Sequence, residues 1–493
     1  MTPALGLVVE DPAGVDRGRD AEHVLVAGCA DQDVEAAGEL GDACSPDEED
    51  PCALGLVCAP QGDESGEAYV CAGAIELRGM VVDALDQSPI AGARILALDD
   101  TSAPISDVAI SDADGHYSLP ISVVRDTDGN PLTTVTLTMQ ASAADYQLYP
   151  SGLQPAFPVS TADAEAVEDD PEDSEDDYLK VIENASTTIG MIPLDDAAGS
   201  FQISGTVTGD LGAGTLVVAE GSTNYAIADR SGSFTLFNVA SGDYELRGYR
   251  GGVQISPAAV AVIDADVEGV VLDPVDGSEL GSVSGSVNIV NAPGGSATSV
   301  VLIPTALFDE VFEFGPVPFG LRAPDPGEAP SVTSAWTIAG VPEGDYTVIA
   351  SLENDLLVRD PDTSIAGTQI LELSVGAGED VELQDSFKVT EALAVVSPGR
   401  DEPEEVSGTP TFVFADDSSE DGYVVVVHDA LGTEIWFDDT IDGVSGSSEV
   451  EVEYTGPALT RGMYYRFQAT SMKDGVPLSR TEDLRGVFVY AGE

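Results

Sequence analysis

Four cysteines carry the clearest chemistry in the chain. Cys44, Cys52, Cys58 and Cys71 sit in GDACSPDEEDPCALGLVCAPQGDESGEAYVCAG, between acidic, Gly- and Pro-containing stretches. A zinc site would bring its ligands in closer pairs, about two to four residues apart, with a His at hand. Neither condition is met here. A segment this short cannot bury a core of its own and needs covalent staples, so the expected arrangement is two disulfides in a knot at 44–73. The sequence does not choose among the ways the four can pair. The fifth cysteine, Cys29, is left over. Disulfides belong to oxidising compartments, so the chain is expected to be exported.

Groups suited to catalysis are sparse. The three histidines are His23, His116 and His428, and none has a second His or a Cys three or four residues away. A zinc peptidase needs such a pair. There is no Gly-x-Ser-x-Gly elbow, and the glycine-rich GDLGAG (209–214) lacks the lysine of a phosphate loop. The three lysines, Lys180, Lys388 and Lys473, do not stand in an early strand, where a Lys–Asn cross-link between strands would require one. The chain therefore reads as non-enzymatic and without a cofactor. Calcium is the one ion the pattern leaves open, through DADG (112–115) and DTDGN (126–130). A Ca²⁺ site wants about six to eight oxygens, and Asp-Gly at a hairpin turn is the simpler reading of both stretches.

Charge narrows the partners. Asp plus Glu number 89 against 18 Lys plus Arg, a net charge of −71. Nucleic acid and anionic lipid would be repelled, which leaves a polysaccharide or an envelope protein as the expected partner. No long apolar run occurs; the best, 253–272, is broken by Pro257, Asp264, Asp266 and Glu268.

The elements that position these residues are strands. DRSGSFTLFNVASGDYEL (229–246) alternates apolar and polar residues between two turns, the pattern of strand–turn–strand. WTIAGVPEGDYTV (336–348) aligns with FTLFNVASGDYEL (234–246) without a gap, and DADGHYSL (112–119) aligns with DRSGSFTL (229–236). Each copy opens on a strand around a glycine: LRGMV (77–81), ISGTV (203–207) and VSGSV (283–287). Three repeats follow the knot, at 74–198, 199–277 and 278–390. The first carries an acidic insertion, 163–177, expected to be a disordered loop. The third carries a Phe-rich insertion, 304–330, with Phe308, Phe312, Phe314 and Phe319, expected to cover a sandwich edge. Ser331 and Ser334 replace the turn Asp and Gly of the third copy, which places its hairpin in question.

An opening strand with Gly, then D-x-x-G-x-aromatic-[ST]-L, then G-D-Y-x-L resembles the carboxypeptidase regulatory-like (transthyretin-like) β-sandwich over 75–390. The resemblance implies an accessory sandwich, related to carbohydrate-binding-like folds, beside peptidases or strung along surface proteins. PCALGLVC (51–58) resembles small secreted modules of the Dickkopf N-terminal kind. In 391–493, Leu459, Gly462 and Tyr465 of ALTRGMYYRF resemble the tyrosine corner of fibronectin III and other immunoglobulin-like sandwiches, with Trp436 as the expected core aromatic. Leu25-Val26-Ala27-Gly28-Cys29 resembles a bacterial lipobox, which implies a leader remnant at 1–28, lipid on Cys29 and an acidic tether at 29–43.

The expected fold is all-β: tandem immunoglobulin-like or transthyretin-like sandwiches in a row after a disulfide-rich segment. The expected function is a non-enzymatic surface scaffold or adhesion protein, outer-membrane, cell-surface or extracellular, reaching a membrane only through its lipid. The alternative is a carbohydrate-binding protein or accessory of a secreted enzyme, with Tyr225, Tyr249, Phe312 and Phe319 as ligand-contact aromatics.

Overall fold

A computed structural model describes residues 38–45, 52–53, 56–62, 68–126, 131–167, 179–195, 200–292, 296–351, 355–362, 367–444 and 448–492. Among these, regular structure is strand, with three short 3-10 turns. No helix of the described residues is long and apolar enough to cross a membrane.

The repeats are sandwiches, and the recurrent residues of the sequence explain how each closes. In the second, the opening strand Ser200–Val207 pairs antiparallel with Ser233–Ala240 and parallel with the closing strand Val267–Leu272. The facing sheet runs Tyr225–Ile227, Leu216–Ala219, Gly242–Tyr249, Ala258–Val262. The first and third copies keep this plan: Ile75–Asp83 lies between His116–Ile121 and the parallel strands Lys180–Ile182 and Ile189–Met191, and Gly281–Val290 between Ala335–Val341 and Phe387–Glu391.

The opening-strand glycine and the motif aromatic are cross-strand partners in all three copies: Gly79 with Tyr117, Gly205 with Phe234, Gly285 with Trp336. The ring lies over the bare Cα. A Cβ on Gly205 would meet Val270 O at 2.1 Å and the Phe234 ring at 2.7 Å. Gly205→Ala is therefore expected to destabilise the second sandwich by about 2 kcal/mol or more, through a backbone that must move. A thermal melt reads this directly, and an unchanged midpoint would show that the ring–glycine contact is dispensable.

The repeated motif is not a hairpin. Ser233–Ala240 lies in one sheet of its sandwich, while Tyr225–Ile227 before it and Gly242–Tyr249 after it lie in the other. Both turns are corners that carry the chain across the core. At the first, Asp229 Oδ1 accepts the N–H groups of Ser231 and Ser233, and Gly232 takes a positive φ of 80°. Asp112 does the same for Asp114 and His116 in the first copy. At the second corner, the Tyr244 hydroxyl donates to Ala240 O, and Tyr346 to Pro342 O in the third copy. The third copy builds its strand without the Asp-Gly pair. Val287 N–H donates to Ser334 O, as Val207 N–H does to Gly232 O.

The fourth sandwich packs Val395–Ser397, Thr411–Ala415 and Glu449–Glu453 against a sheet ordered Glu404–Ser407, Val487–Gly492, Tyr464–Lys473, Gly422–Asp429, Glu434–Asp442. Tyr465 makes its corner by accepting the Thr460 N–H at 2.8 Å, with Gly462 at φ 83°. The core centre is Phe412 rather than Trp436. Phe412 is fully buried and within about 6 Å of Trp436, Tyr454, Phe467 and Phe488. Trp436 lies on the edge strand and is only partly buried.

In the knot, Cys44 bonds Cys58 and Cys52 bonds Cys71. Sγ atoms of Cys44, Cys52 and Cys71 lie within 4.8 Å of one another, but each is committed to a disulfide and offers no thiolate to a metal. Two expectations of flexibility need correcting where residues are described. The end of the tether is pinned to the knot, with Gly41 N–H donating to Cys71 O and Cys71 N–H to Asp42 O. The acidic insertion begins in order, because Glu165–Ala166 pairs with Lys180–Ile182. Cys29, most of DTDGN and residues 168–177 lie outside the described residues.

The four tandem sandwiches also pack on one another. From Gly38 to Glu493 the chain is a single compact unit. The second sandwich meets the third through Gly251 N–H to Phe319 O at 2.7 Å and Gly252 N–H to Gly340 O at 2.8 Å. The third meets the fourth through Arg480 and Glu313. The fourth returns to the first, where Gln147 Nε2 donates to Ala430 O, and Leu153 and Ile192 join the fourth core. Asn238 Nδ2 donates to Ala143 O and Tyr146 O, which joins the second sandwich to the first.

Candidate binding cleft

Packing four sandwiches against one another leaves gaps at the seams, and one of them is a cleft of about 470 Å³. Its walls come from three sandwiches. The first gives Tyr146, Gln147, Leu148 and Ser151; the second gives Thr223, Asn224, Tyr225, Phe237 and Asn238; the third gives residues 307–310 and 314–316. Tyr146, Tyr225, Phe237, Phe308 and Phe314 are half-buried.

The walls are fixed by hydrogen bonds made behind them. Asn238, at φ 60°, spends its amide nitrogen on the first sandwich and its oxygen on Asp145 N–H at 2.8 Å. Asn224 Nδ2 donates to Phe237 O and Asn238 O. In the third wall, Asp309 and Phe314 bond each other through the backbone, and Asp309 Oδ1 accepts the Val311 and Phe312 N–H groups. This closes a tight loop in which Asp309 and Glu310 are exposed and Glu313 is buried.

Of the aromatics expected to contact a ligand, only Tyr225 lines this cleft. Tyr249 is 3% exposed at the seam of the second and third sandwiches, edge-on to Tyr346, with its hydroxyl on Glu220. Burial, then Glu220, push that hydroxyl's pKa far up. Phe312 is also 3% exposed, beneath the Arg466 guanidinium at 5.0 Å and edge-on to His428. Phe319 is partly buried and stacks on Arg250 at 4.6 Å. Rings enclosed in this way have no face to lay on a sugar, so Tyr249 and Phe312 are packing residues. The Phe-rich insertion does cover an edge, but the edge is a seam between sandwiches.

His428 is held below its ordinary pKa by burial and by Arg466. His116 is exposed and begins a strand. A second cleft of about 460 Å³ lies between the first and fourth sandwiches, lined by Phe157, Tyr464, Tyr490, Arg461, Asp86 and Glu405. Of the cleft residues, sequence reading named Tyr225 as a ligand contact and placed Phe308 and Phe314 in the insertion, but it did not single out Tyr146, Phe237 or the amides. These sit far apart in sequence, and only the docking of sandwiches brings them together.

No family model matches the chain, and no curated protein matches it. Solved structures similar to it include the minor pilin GBS52 of Streptococcus agalactiae, at 13% identity over 41% of this chain and 100% of that one, with a TM-score of 0.19. The major pilin subunit BcpA of Bacillus cereus is 10% identical over 65% and 99%, at 0.17. A tandem repeat from the extending region of a large adhesion protein is 14% identical over 83% and 98%, at 0.13. Scores this low transfer no residue role to this chain.

Proposed function

We propose that the chain is a non-enzymatic scaffold or adhesion protein of the cell surface. The observation that carries this reading is the way polar side chains are used. Backbone bonds, a buried Arg–Glu–Arg cluster and capped corners lock four sandwiches into one block. Such a block holds its surfaces at fixed distances from one another, which suits presentation of a site rather than turnover. Two disulfides support an oxidising compartment. The carboxypeptidase regulatory-like resemblance supports an accessory role, while enclosure of Tyr249 and Phe312 removes much of the case for glycan binding.

Lipid on Cys29 would tie the block to a membrane that its charge would otherwise keep away. The test uses cells expressing the gene with its full leader. A diacylglycerol-modified Cys29 in the mass of the mature N-terminus is expected, together with antibody labelling of the sandwiches on intact cells. An unlabelled, intracellular chain would overturn the surface reading, and an unmodified Cys29 would overturn the anchor alone. Hydrolysis of a peptide, ester or glycoside by the purified chain would overturn the non-enzymatic reading.

A further inference from the structure

The cleft between the first three sandwiches has a composition that selects one kind of ligand. Five half-buried aromatic side chains line it, and the same lining includes the exposed residues Asp309 and Glu310. No Lys or Arg lines it. Its amide nitrogens are spent on backbone carbonyls behind the wall. What remains in the lining is largely aromatic and aliphatic carbon, hydroxyl groups and the two carboxylates.

We propose that this cleft binds an organic cation, an ammonium or guanidinium group on an apolar stem. The stem would lie along Tyr225, Phe308 and Phe314, and the charged head would reach Asp309 and Glu310. Ring faces and carboxylates both favour such a head, and each gains where water is partly excluded. An anion would find no counter-charge there. The volume, about 470 Å³, falls within the range of small-ligand sites, and walls fixed by hydrogen bonds need little ordering on binding. The proposal is independent of the scaffold reading, which would stand with the cleft empty.

The chemistry has two sources, a free polyamine or the basic side chain of a partner polypeptide, so the titration has two arms. Spermidine and a blocked lysine- or arginine-centred tripeptide are each added to the full chain and followed by calorimetry, with maltotriose as the neutral comparison. Because the chain carries −71 charges, non-specific attraction must be separated from the site. The double variant Asp309→Asn/Glu310→Gln changes two exposed loop carboxylates. The control Glu451→Gln/Glu453→Gln removes the same charge from an exposed strand of the fourth sandwich, outside the cleft. Saturable binding of either cation, weakened about tenfold or more by the cleft variant and unchanged by the control, is expected. Phe308→Ala should weaken it further at high salt, where the carboxylates are screened. Equal weakening by both double variants, no saturable binding of either cation, or saturation by maltotriose instead would each overturn the proposal. Circular dichroism confirms that each variant retains the wild-type fold.

Discussion

Glu313→Gln will uncouple the third sandwich from the fourth. The Glu313 carboxylate accepts from Arg359 Nη2 at 2.5 Å and from both terminal nitrogens of Arg480 at 2.8 and 2.5 Å. All three side chains are at most 15% exposed. Arg359 belongs to the strand Leu357–Arg359 of the third sandwich and Arg480 to Val476–Arg480 of the fourth, so one carboxylate bridges the two. Burial alone would raise its pKa; Arg480 and then Arg359 outweigh that and hold it at about 2. Removing the charge leaves Arg359 and Arg480, with the buried Arg466 beside them, in a poorly solvated seam where Asp483, 3.8 Å from Arg480, opposes them. Breaking a buried cluster by removing one partner costs about 3–5 kcal/mol.

The two tryptophans report on this separately, because Trp336 lies in the third sandwich and Trp436 in the fourth. In single-tryptophan backgrounds the two probes should melt together in the parent and apart in Glu313→Gln. A folded-state pKa below the ordinary 4.5 stabilises above that value and loses its contribution as pH falls towards about 2. The parent should therefore also lose its coupling in acid. Coincident melting in the variant, at the parent's midpoint, would show that the seam holds by packing alone.

The sequence carries the sandwiches much more clearly than their arrangement. Period-two alternation marks Phe234, Leu236, Trp336 and Ile338 as inward-facing, and all four are buried. Self-similarity sets the repeat because the copies solve the same closure, a ring over a glycine in all three and a phenol tied back across a corner in the second and third. What sequence reading took for hairpins are corners, for a physical reason. The Asp carboxylate satisfies the same backbone N–H groups whether the chain turns back beside itself or crosses to the facing sheet. The fourth sandwich has the other outcome: Asp429 caps Leu431 and Thr433 with the same geometry, and there the flanking strands do pair as a hairpin. Which occurs depends on partners far along the chain. The cleft was hidden for the same reason, since Tyr146, Asn224 and Asp309 meet only through docking. Burial of Tyr249 and Phe312 could not be read either, because the alternation that places a ring on an outer face does not say whether another sandwich covers it.

Glu482→Gln is expected to stabilise the fourth sandwich, and only above the acid range. The Glu482 carboxyl is 2% exposed and faces Asp483, Asp355 and Arg485. The one cation among these stands 3.6 Å away and donates instead to Arg400 O at 2.7 Å. Burial, with Asp483 adding to it, pushes the carboxyl up to about 8, so at neutral pH the folded chain keeps a proton there that the unfolded chain releases near 4.5. The sign follows from that difference in bound protons. Stability is full below about 4.5, falls as pH rises to about 8, and is then constant at its lower level. The span corresponds to a loss on the order of 4 kcal/mol. Glutamine is close in shape and has no proton to lose. Followed by Trp436 fluorescence in urea, the variant should match the parent near pH 4 and exceed it by several kcal/mol above about pH 8. A stability difference of equal size at both pH values would mean that Glu482 acts through packing and never titrates in this window.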